Sequence, residues 1–555
     1  MMPGSCTISS WVRIFAFGLA ATLLNGQELT PVFRAGTKLV EVDVTVLDKK
    51  GNAVVGLGSD DFTILDDGKP RSIAFFRPDN APDSDRSAAA LAALPPGVVS
   101  NHPTVGASDL PSNVAALVLD TVNTPPQQSL TARAQMMRYL RTLAPRTRVA
   151  IFVMGRQLRT LYDFTDDAAA LRAKLEKAGL GSPVGHVTDY AQSVRDADEF
   201  VNLFAFDPAT LMADTDIAGQ HLKAESIAND NARRYRMELT LAAMEALGAH
   251  LAGIPGRKSL VWIGAGISMQ SMNGDMGAVE DFHVKVRRAS ERLAQEGIVL
   301  YIVDSQMLVL PAETSADTKA PAMPRSFGRF ERQANTETLS ANTRPAAELM
   351  ASVTGGRYFH DSNDLAAGFE QAAIDFQGAY TLGFYMPEQA DDKWHKLRIR
   401  VRGPGRNVRH KEGYFARSAR TQPDSWTMDV WRAKFAEPVG STAILLSAAS
   451  KRLASGEFAL TITADAATLE LRPDGEGLNA DLEVGIVDRA PDGTASTHCA
   501  GYGVTLPAAP TAKDVVYRLQ WKPDPGSKGV RIVVHDTRSG EYGSLDVPLG
   551  GLPHP

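Results

Sequence analysis

The chain has little cysteine: Cys6 and Cys499 are the two in 555 residues. Cys6 precedes an apolar run that reads as a removable export signal. The mature chain is then expected to keep one thiol, to have no internal disulfide and to rely on its apolar cores. Charge of one sign is also lacking. The net charge is −6 at pH 7 and no basic tract stands out, which argues against a nucleic-acid partner and against an electrostatically held membrane surface. No GxSxG, HExxH, CxxC, P-loop or DxDxDG pattern occurs, which removes the common local signatures of hydrolases, zinc proteases and phosphate binding.

Long apolar runs are scarce too. Arg13 is followed by IFAFGLAATLL (residues 14–24) and the polar NGQEL. That run suits a signal peptide and falls short of the roughly 20 residues of a spanning helix. A signal over 1–26 is expected, with no transmembrane segment in the mature chain. The protein is then exported: periplasmic, outer-envelope associated or extracellular.

What is present is organised in blocks. TKLVEVDVTVLD alternates with apolar Leu39, Val42, Val44 and Val46, and the Asp-Gly of DDFTILDDGK predicts a tight hairpin. This predicts a small β module over 30–78, and the Pro/Ala/Ser-rich 79–112 reads as a linker. From 113 the pattern changes to apolar strands (AALVLD, RVAIFVM, SLVWIGAG, IVLYIVD) separated by amphipathic helices, with AYTLGFYMP closing the series. Parallel strands need helical crossovers, so an α/β fold is expected over 113–416: a doubly wound, mostly parallel sheet with insertions near 180–228 and 305–344. After a second linker (417–427), evenly spaced strands over 428–555 predict a β-sandwich.

The stretch most suggestive of chemistry is NVAALVLDTVNTPPQQ (113–128), where an apolar strand runs into Asp120, Asn123 and Thr124. Two readings stand. Asp120, Asn123 and Thr124 could hold a metal ion. Alternatively, Asp120 accepts backbone N–H bonds in a strand-to-helix turn that Pro125 and Pro126 help to set. Asp304 ends another strand on the same edge of such a sheet. His360–Asp361 and His535–Asp536 are adjacent pairs on strands, pointing to opposite faces, and are expected at the surface. Arg398, Arg400, Arg402, Arg406 and Arg409 are expected to be a solvated face on an edge hairpin.

Several of these segments occur in a specific order. They are VEVDVTVLDKKGNAVVGLGSDDFTILDDGKP, ALVLDTVNTP, GRKSLVWIGAGIS, GIVLYIVD and YTLGFYMP…HKLRIRVR…VRHKEGYFA, with a terminal GVRIVVHDTRSGEYGSLDVPL. In this order they resemble the von Willebrand factor type A (VWA) domain, and more closely the exported bacterial VWFA-related proteins of Acidobacteria. The resemblance implies a Rossmann-like binding domain with a divalent cation, typically Mg²⁺, at the strand ends, whose shell a partner's carboxylate completes. It implies a DxSxS sequence after the first strand, a Thr on a later loop and an Asp after the fourth strand. Aligned on Asp120, the serine positions fall on Val122 and Thr124, and Ala265 or Gly266 stands where the second Asp is implied. Asp275 lies nearby in sequence, and Thr188, Thr210 and Thr215 are candidates for the later Thr.

The expected function is that of a non-enzymatic exported binding or scaffold protein. Asp120, Asn123 and Thr124 would contact a protein partner at the strand C-terminal rim, with Asp120 and Thr124 as ligands if Mg²⁺ is used. The alternatives are an exported hydrolase with a site built from the two insertions, and a structural envelope protein whose core has lost its ligand.

Overall fold

The computed structural model describes residues 39–78, 94–95, 97–102, 113–124, 126–141, 147–178, 231–254, 257–264, 270–272, 279–305, 344–360, 368, 371–372, 375, 379–386, 391–416, 424–474, 477–490, 494–508 and 513–549. The expected signal segment lies outside them, as do the insertion near 180–228, all but the ends of that near 305–344, and most of both linkers.

Along β1 (Leu39–Leu47), Val40, Val42, Val44 and Val46 are buried, as a period of two on a half-buried strand requires. β2 (Phe62–Asp66) and β3 (Lys69–Arg71) form the expected hairpin. Asp67 and Gly68 turn it at positive φ (46° and 81°), the backbone a two-residue hairpin loop needs. β4 (Phe75–Pro78) and β5 (Val98–Ser100) follow.

Strands and helices then alternate. β6 (Asn113–Asp120), α1 (Pro126–Tyr139), β7 (Arg148–Met154), β8 (Leu158–Thr165) and α2 (Ala168–Lys177) come first. After them come α3 (231–252), β9 (Arg257–Gly264), β10 (Gln270–Met272) paired with β11 (Val279–Asp281), α4 (His283–Gln295), β12 (Ile298–Asp304), α5 (344–354) and β13 (Arg357–Phe359). β13-β12-β9-β6-β7 are parallel, and β8 adds an antiparallel edge. Ala115, Leu117 and Leu119 pack on one face with Met136 of α1 and Leu171 of α2. Ala116 and Val118 pack on the other with Met244 of α3, Val286 of α4 and Met350 of α5. Helices on both faces explain why these strands are continuous apolar runs. The chain leaves β6 for β7 on one side and reaches β9 on the other. Strand order therefore reverses between β6 and β9, and ligands of such sheets bind outside the strand ends at that reversal.

β14 (Ala379–Tyr385), expected to close the parallel series, instead pairs antiparallel with β1 from Leu39↔Tyr385 to Thr45↔Ala379. With β15 (Trp394–Val401), β16 (Asn407–His410) and β17 (Gly413–Phe415) it completes two four-stranded sheets, β16-β1-β14-β4 and β17-β15-β2-β3. The sheets share one apolar core. The strands of 39–78 therefore do not form a module of their own. Alternation marks a strand without naming its partner, and Asp43 and Thr381 are 338 residues apart. β15 is also an inner strand, and Arg409 pairs with the buried Asp375 at 2.6 Å, so the arginine ribbon is only partly a solvated face.

Of two lysines buried where this composite module meets the α/β domain, Lys411 belongs to the module and reaches across, while Lys258 belongs to β9 and bonds within the α/β domain. Lys258 Nζ donates to the carbonyl of Ala252 at the end of α3, and Lys411 Nζ to that of Ala294 near the end of α4, both at 3.2 Å. Each ammonium thus sits at the negative end of a helix dipole. Burial pushes Lys411 down to about 8 against the opposing charges of Asp43, Glu41 and Glu296.

α6 (Met428–Ala436) precedes β18 (Leu446–Arg452), β19 (Phe458–Asp465), β20 (Arg472–Asp474), β21 (Gly477–Arg489), β22 (Ala495–Ala508), β23 (Asp514–Trp521), β24 (Gly529–Asp536) and β25 (Tyr542–Pro548). The sheets β23-β19-β18-β5 and β20-β21-β24-β25, with β22 also on β21, enclose one core as a sandwich. β5 comes from the stretch expected to be a linker, and its three residues are too few to show a period. α6 covers the outer face, where a Cβ at Gly485 would overlap the Trp431 ring. His535 and Asp536 are buried rather than at the surface, because all of β24 is covered on both faces. Cys499 is disulfide-bonded, which corrects its reading as a lone thiol; its partner lies outside the described residues. Among the described residues no helix is long and apolar enough to cross a membrane.

Lys411 gives the interface a pH signature. Its folded pKa lies below the unfolded one, so the cost of a buried charge is present at neutral pH and is relieved as pH rises through the folded value. Between pH 8 and 10, stability in urea should increase by up to about 3 kcal/mol, and Lys411→Met should flatten the rise. The window stops at about 10 because the buried tyrosines ionise with the opposite sign above it.

Candidate functional site at the end of the first parallel strand

Asp120 is the last residue of β6 and is 1% exposed. Its Oδ1 accepts the backbone N–H groups of Val122 (2.9 Å) and Asn123 (3.0 Å), which folds the following loop into a tight turn. Its Oδ2 accepts Asn123 Nδ2 (2.7 Å) and Trp262 Nε1 (3.0 Å). Asn123 Nδ2 also donates to Thr240 Oγ1 (2.9 Å), whose own hydroxyl donates to the Arg236 carbonyl one turn earlier on α3. One carboxylate thus ties together β6, β9 and α3. Thr121 donates its N–H and its hydroxyl to the Met154 carbonyl, joining the same loop to β7.

β9 ends in Gly264 for a steric reason. A Cβ there would lie 2.9 Å from Asp120 Cβ and 3.2 Å from Thr124 Oγ1. Thr124 (4% exposed) and Asp120 are therefore brought together, with Asn123 beside them. Val122, at the first serine position, packs into the apolar core under α3. Ala265, Gly266, Asp275, Thr188, Thr210 and Thr215 lie outside the described residues. Asp304 ends β12 at the same edge and accepts the Tyr358 hydroxyl at 2.7 Å.

Burial raises the Asp120 pKa above the ordinary carboxylate range, and the bonds from Asn123, Trp262 and Val122 only partly offset it. Arg236 supplies opposite charge. Burial and the like charge of Arg233 lower its pKa, and Asp120 raises it. A carboxylate offers about four lone-pair directions, and four N–H donors occupy those of Asp120. A cation at this position has to displace protein donors.

Trp262, Thr240 and Arg236 were not recognisable as site residues from sequence. The available signal was the tryptophan inside an apolar strand, since a buried indole N–H needs an acceptor. Among the described residues, two other groups bring potential metal ligands within 4.8 Å of one another: Asp66, Asp67 and His395, and Asp488, His498 and Asp524.

Asp120→Ala strands four N–H donors, those of Val122 and Trp262 buried and the two of Asn123 half-buried, and should cost at least about 3 kcal/mol in urea unfolding. Gly264→Ala, through the 2.9 Å approach, should cost about 1–3 kcal/mol. A loss below about 1 kcal/mol for Asp120→Ala would contradict the bonding described.

No protein-family model matches the chain, and no curated protein matches it. Solved structures similar to part of it include proteins with VWA domains. An aerotolerance-related membrane protein from Bacteroides fragilis NCTC 9343 is 12% identical with a TM-score of 0.24, over 47% of this chain and 98% of that one. The SpRpn10 VWA domain is 8% identical with a TM-score of 0.20, over 48% of this chain and 97% of that one. Proximal thread matrix protein 1 from the mussel byssus, with a zinc-occupied MIDAS motif, is 9% identical with a TM-score of 0.24, over 50% and 48%. At such TM-scores these likenesses carry no argument, and the α/β architecture of this chain rests on its own strand order.

Proposed function

We propose that the chain is an exported, non-enzymatic binding or scaffold protein that presents the rim at the C-terminal ends of its parallel strands to a protein partner, and does so without a cation. The observation supporting this reading is the carboxylate of Asp120, buried and already bonded to four N–H donors. Asp120 and Thr124 shape the rim from beneath. Asn123, half-buried, and the exposed Arg156 and Gln157 in the turn after β7 are the side chains placed to meet a partner. Export rests on the apolar run at 14–24, and the absence of local catalytic patterns favours binding over hydrolysis.

Two measurements test this. Millimolar Mg²⁺ should leave the melting temperature of the full chain unchanged. A rise in the wild type that Asp120→Asn abolishes would sink the cation-free reading. Envelope and secreted proteins captured on the immobilised chain in Mg²⁺-free buffer should be retained by wild type and fall at least tenfold for Asn123→Arg combined with Gln157→Glu. Capture indifferent to both substitutions removes the rim from the interaction.

A further inference from the structure

The described carboxylate clusters differ in which oxygens are already committed. Both oxygens of Asp120 are taken. Those of Asp488 are taken as well: Oδ1 accepts Trp521 Nε1 (2.7 Å), and Oδ2 accepts the Asp524 N–H (2.6 Å) and the Ser527 hydroxyl (3.0 Å). That group is a structural node.

The cluster at the β2–β3 hairpin is built differently. Asp66 Oδ2 accepts Arg71 Nε (2.9 Å), Arg71 Nη2 (2.7 Å) and the Tyr414 hydroxyl (3.2 Å). Asp67 Oδ1 accepts the Lys396 N–H at 2.9 Å. The remaining oxygens, Asp66 Oδ1 and Asp67 Oδ2, converge on His395 Nδ1 at 2.9 and 3.5 Å. On the far side of the ring, His395 Nε2 faces Asp391 Oδ1 at 3.1 Å.

We propose that Asp66 Oδ1, Asp67 Oδ2 and His395 Nδ1 form a zinc-type divalent metal site, with Asp391 accepting the Nε2–H and so leaving Nδ1 as the ligating nitrogen. Two ligands about 2.0–2.1 Å from a tetrahedral ion lie roughly 3.3 Å apart, and the observed 2.9 and 3.5 Å bracket that spacing. One imidazole nitrogen with two carboxylate oxygens suits zinc better than Mg²⁺ or Ca²⁺, which take oxygen shells of six or more. Each ligand is aimed by a partner beyond it: Arg71 and Tyr414 on Asp66, Lys396 on Asp67, and Asp391 on His395. Carboxylate support behind a ligating histidine is the usual arrangement in metal sites. The Asp67 and Asp391 side chains are 51% and 42% exposed, so the fourth position opens to water. A metal here fastens the β2–β3 hairpin to β15, joining residues 329 apart in the chain. The rival occupant of the same atoms is a proton, with His395 an imidazolium held between Asp66 and Asp391.

The test uses the full chain, stripped with chelator and titrated with Zn²⁺ at pH 7.5 by calorimetry and thermal melting. Asp67→Asn is the informative variant, because asparagine accepts the positive φ of that turn and can keep the bond from Lys396. Wild type should bind Zn²⁺ and melt higher. Asp67→Asn should weaken binding at least 100-fold while keeping the apo melting temperature, and Asp391→Asn should weaken it about 10- to 100-fold. No heat and no melting shift with Zn²⁺ in the wild type would overturn the proposal, as would wild-type affinity in Asp67→Asn.

Discussion

Taking a carboxylate out of water at the end of a central strand is costly unless its lone pairs meet donors. Asp120 sits at such a point, and the structure around it follows from meeting that demand. The loop after β6 has to turn at once so that the N–H groups of Val122 and Asn123 point back. β9 must carry an indole two residues before its end and no side chain at its end, which Trp262 and Gly264 satisfy. α3 must lie where Thr240 can receive the second hydrogen of the Asn123 amide. Loop, strand and helix are thereby held in register at the one place where the strand order reverses.

A second constraint acts at the opposite side of the α/β domain. The chain enters through β1 and leaves through β14, and pairing these strands brings both passages into one β module. Docking buries two ammonium groups, and each finds a helix C-terminal carbonyl: Lys411 of the module crosses to Ala294, while Lys258 of β9 bonds to Ala252 within the α/β domain. Close backbone approach completes the contact: a Cβ at Gly355 would lie 2.6 Å from the His410 carbonyl carbon. The α3 end is used again on its other side. There Thr442 accepts the Gly253 N–H and donates to the His250 carbonyl, tying the α/β domain to the sandwich.

The α/β core was legible because strands covered on both faces leave continuous apolar runs, and AALVLD, RVAIFVM, SLVWIGAG and IVLYIVD are such runs. Val122 was equally legible as a residue without a side-chain oxygen. Long-range pairing was not. β14 has the same apolar character as its parallel neighbours, and nothing local in AYTLGFY separates an antiparallel partner of β1 from another parallel strand. His535 was misjudged for a related reason: neighbours on a strand do point to opposite faces, but β24 is covered on both. His395 gave no local signal either, since KWHK looks like any half-solvated strand and its acidic partners Asp66 and Asp67 lie on the far side of the α/β domain in sequence.

Residue type is therefore a weak guide to where this chain can take a cation, and lone-pair commitment is a better one. Asp120 stands in the position that a ligand-binding sheet makes conspicuous, yet its oxygens face donors supplied by its own loop, by β9 and by α3. Asp66 and Asp67 stand in a hairpin away from that edge, yet each has one oxygen fixed by protein donors and one left pointing at an imidazole nitrogen. Coordination needs electron pairs that are both oriented and uncommitted. At the rim that need conflicts with satisfying a deeply buried carboxylate. At the hairpin the turn at Asp67 and Gly68 projects its carboxylate into water, which keeps the second oxygen free. The same physics that makes the rim rigid leaves the hairpin better suited to take a metal.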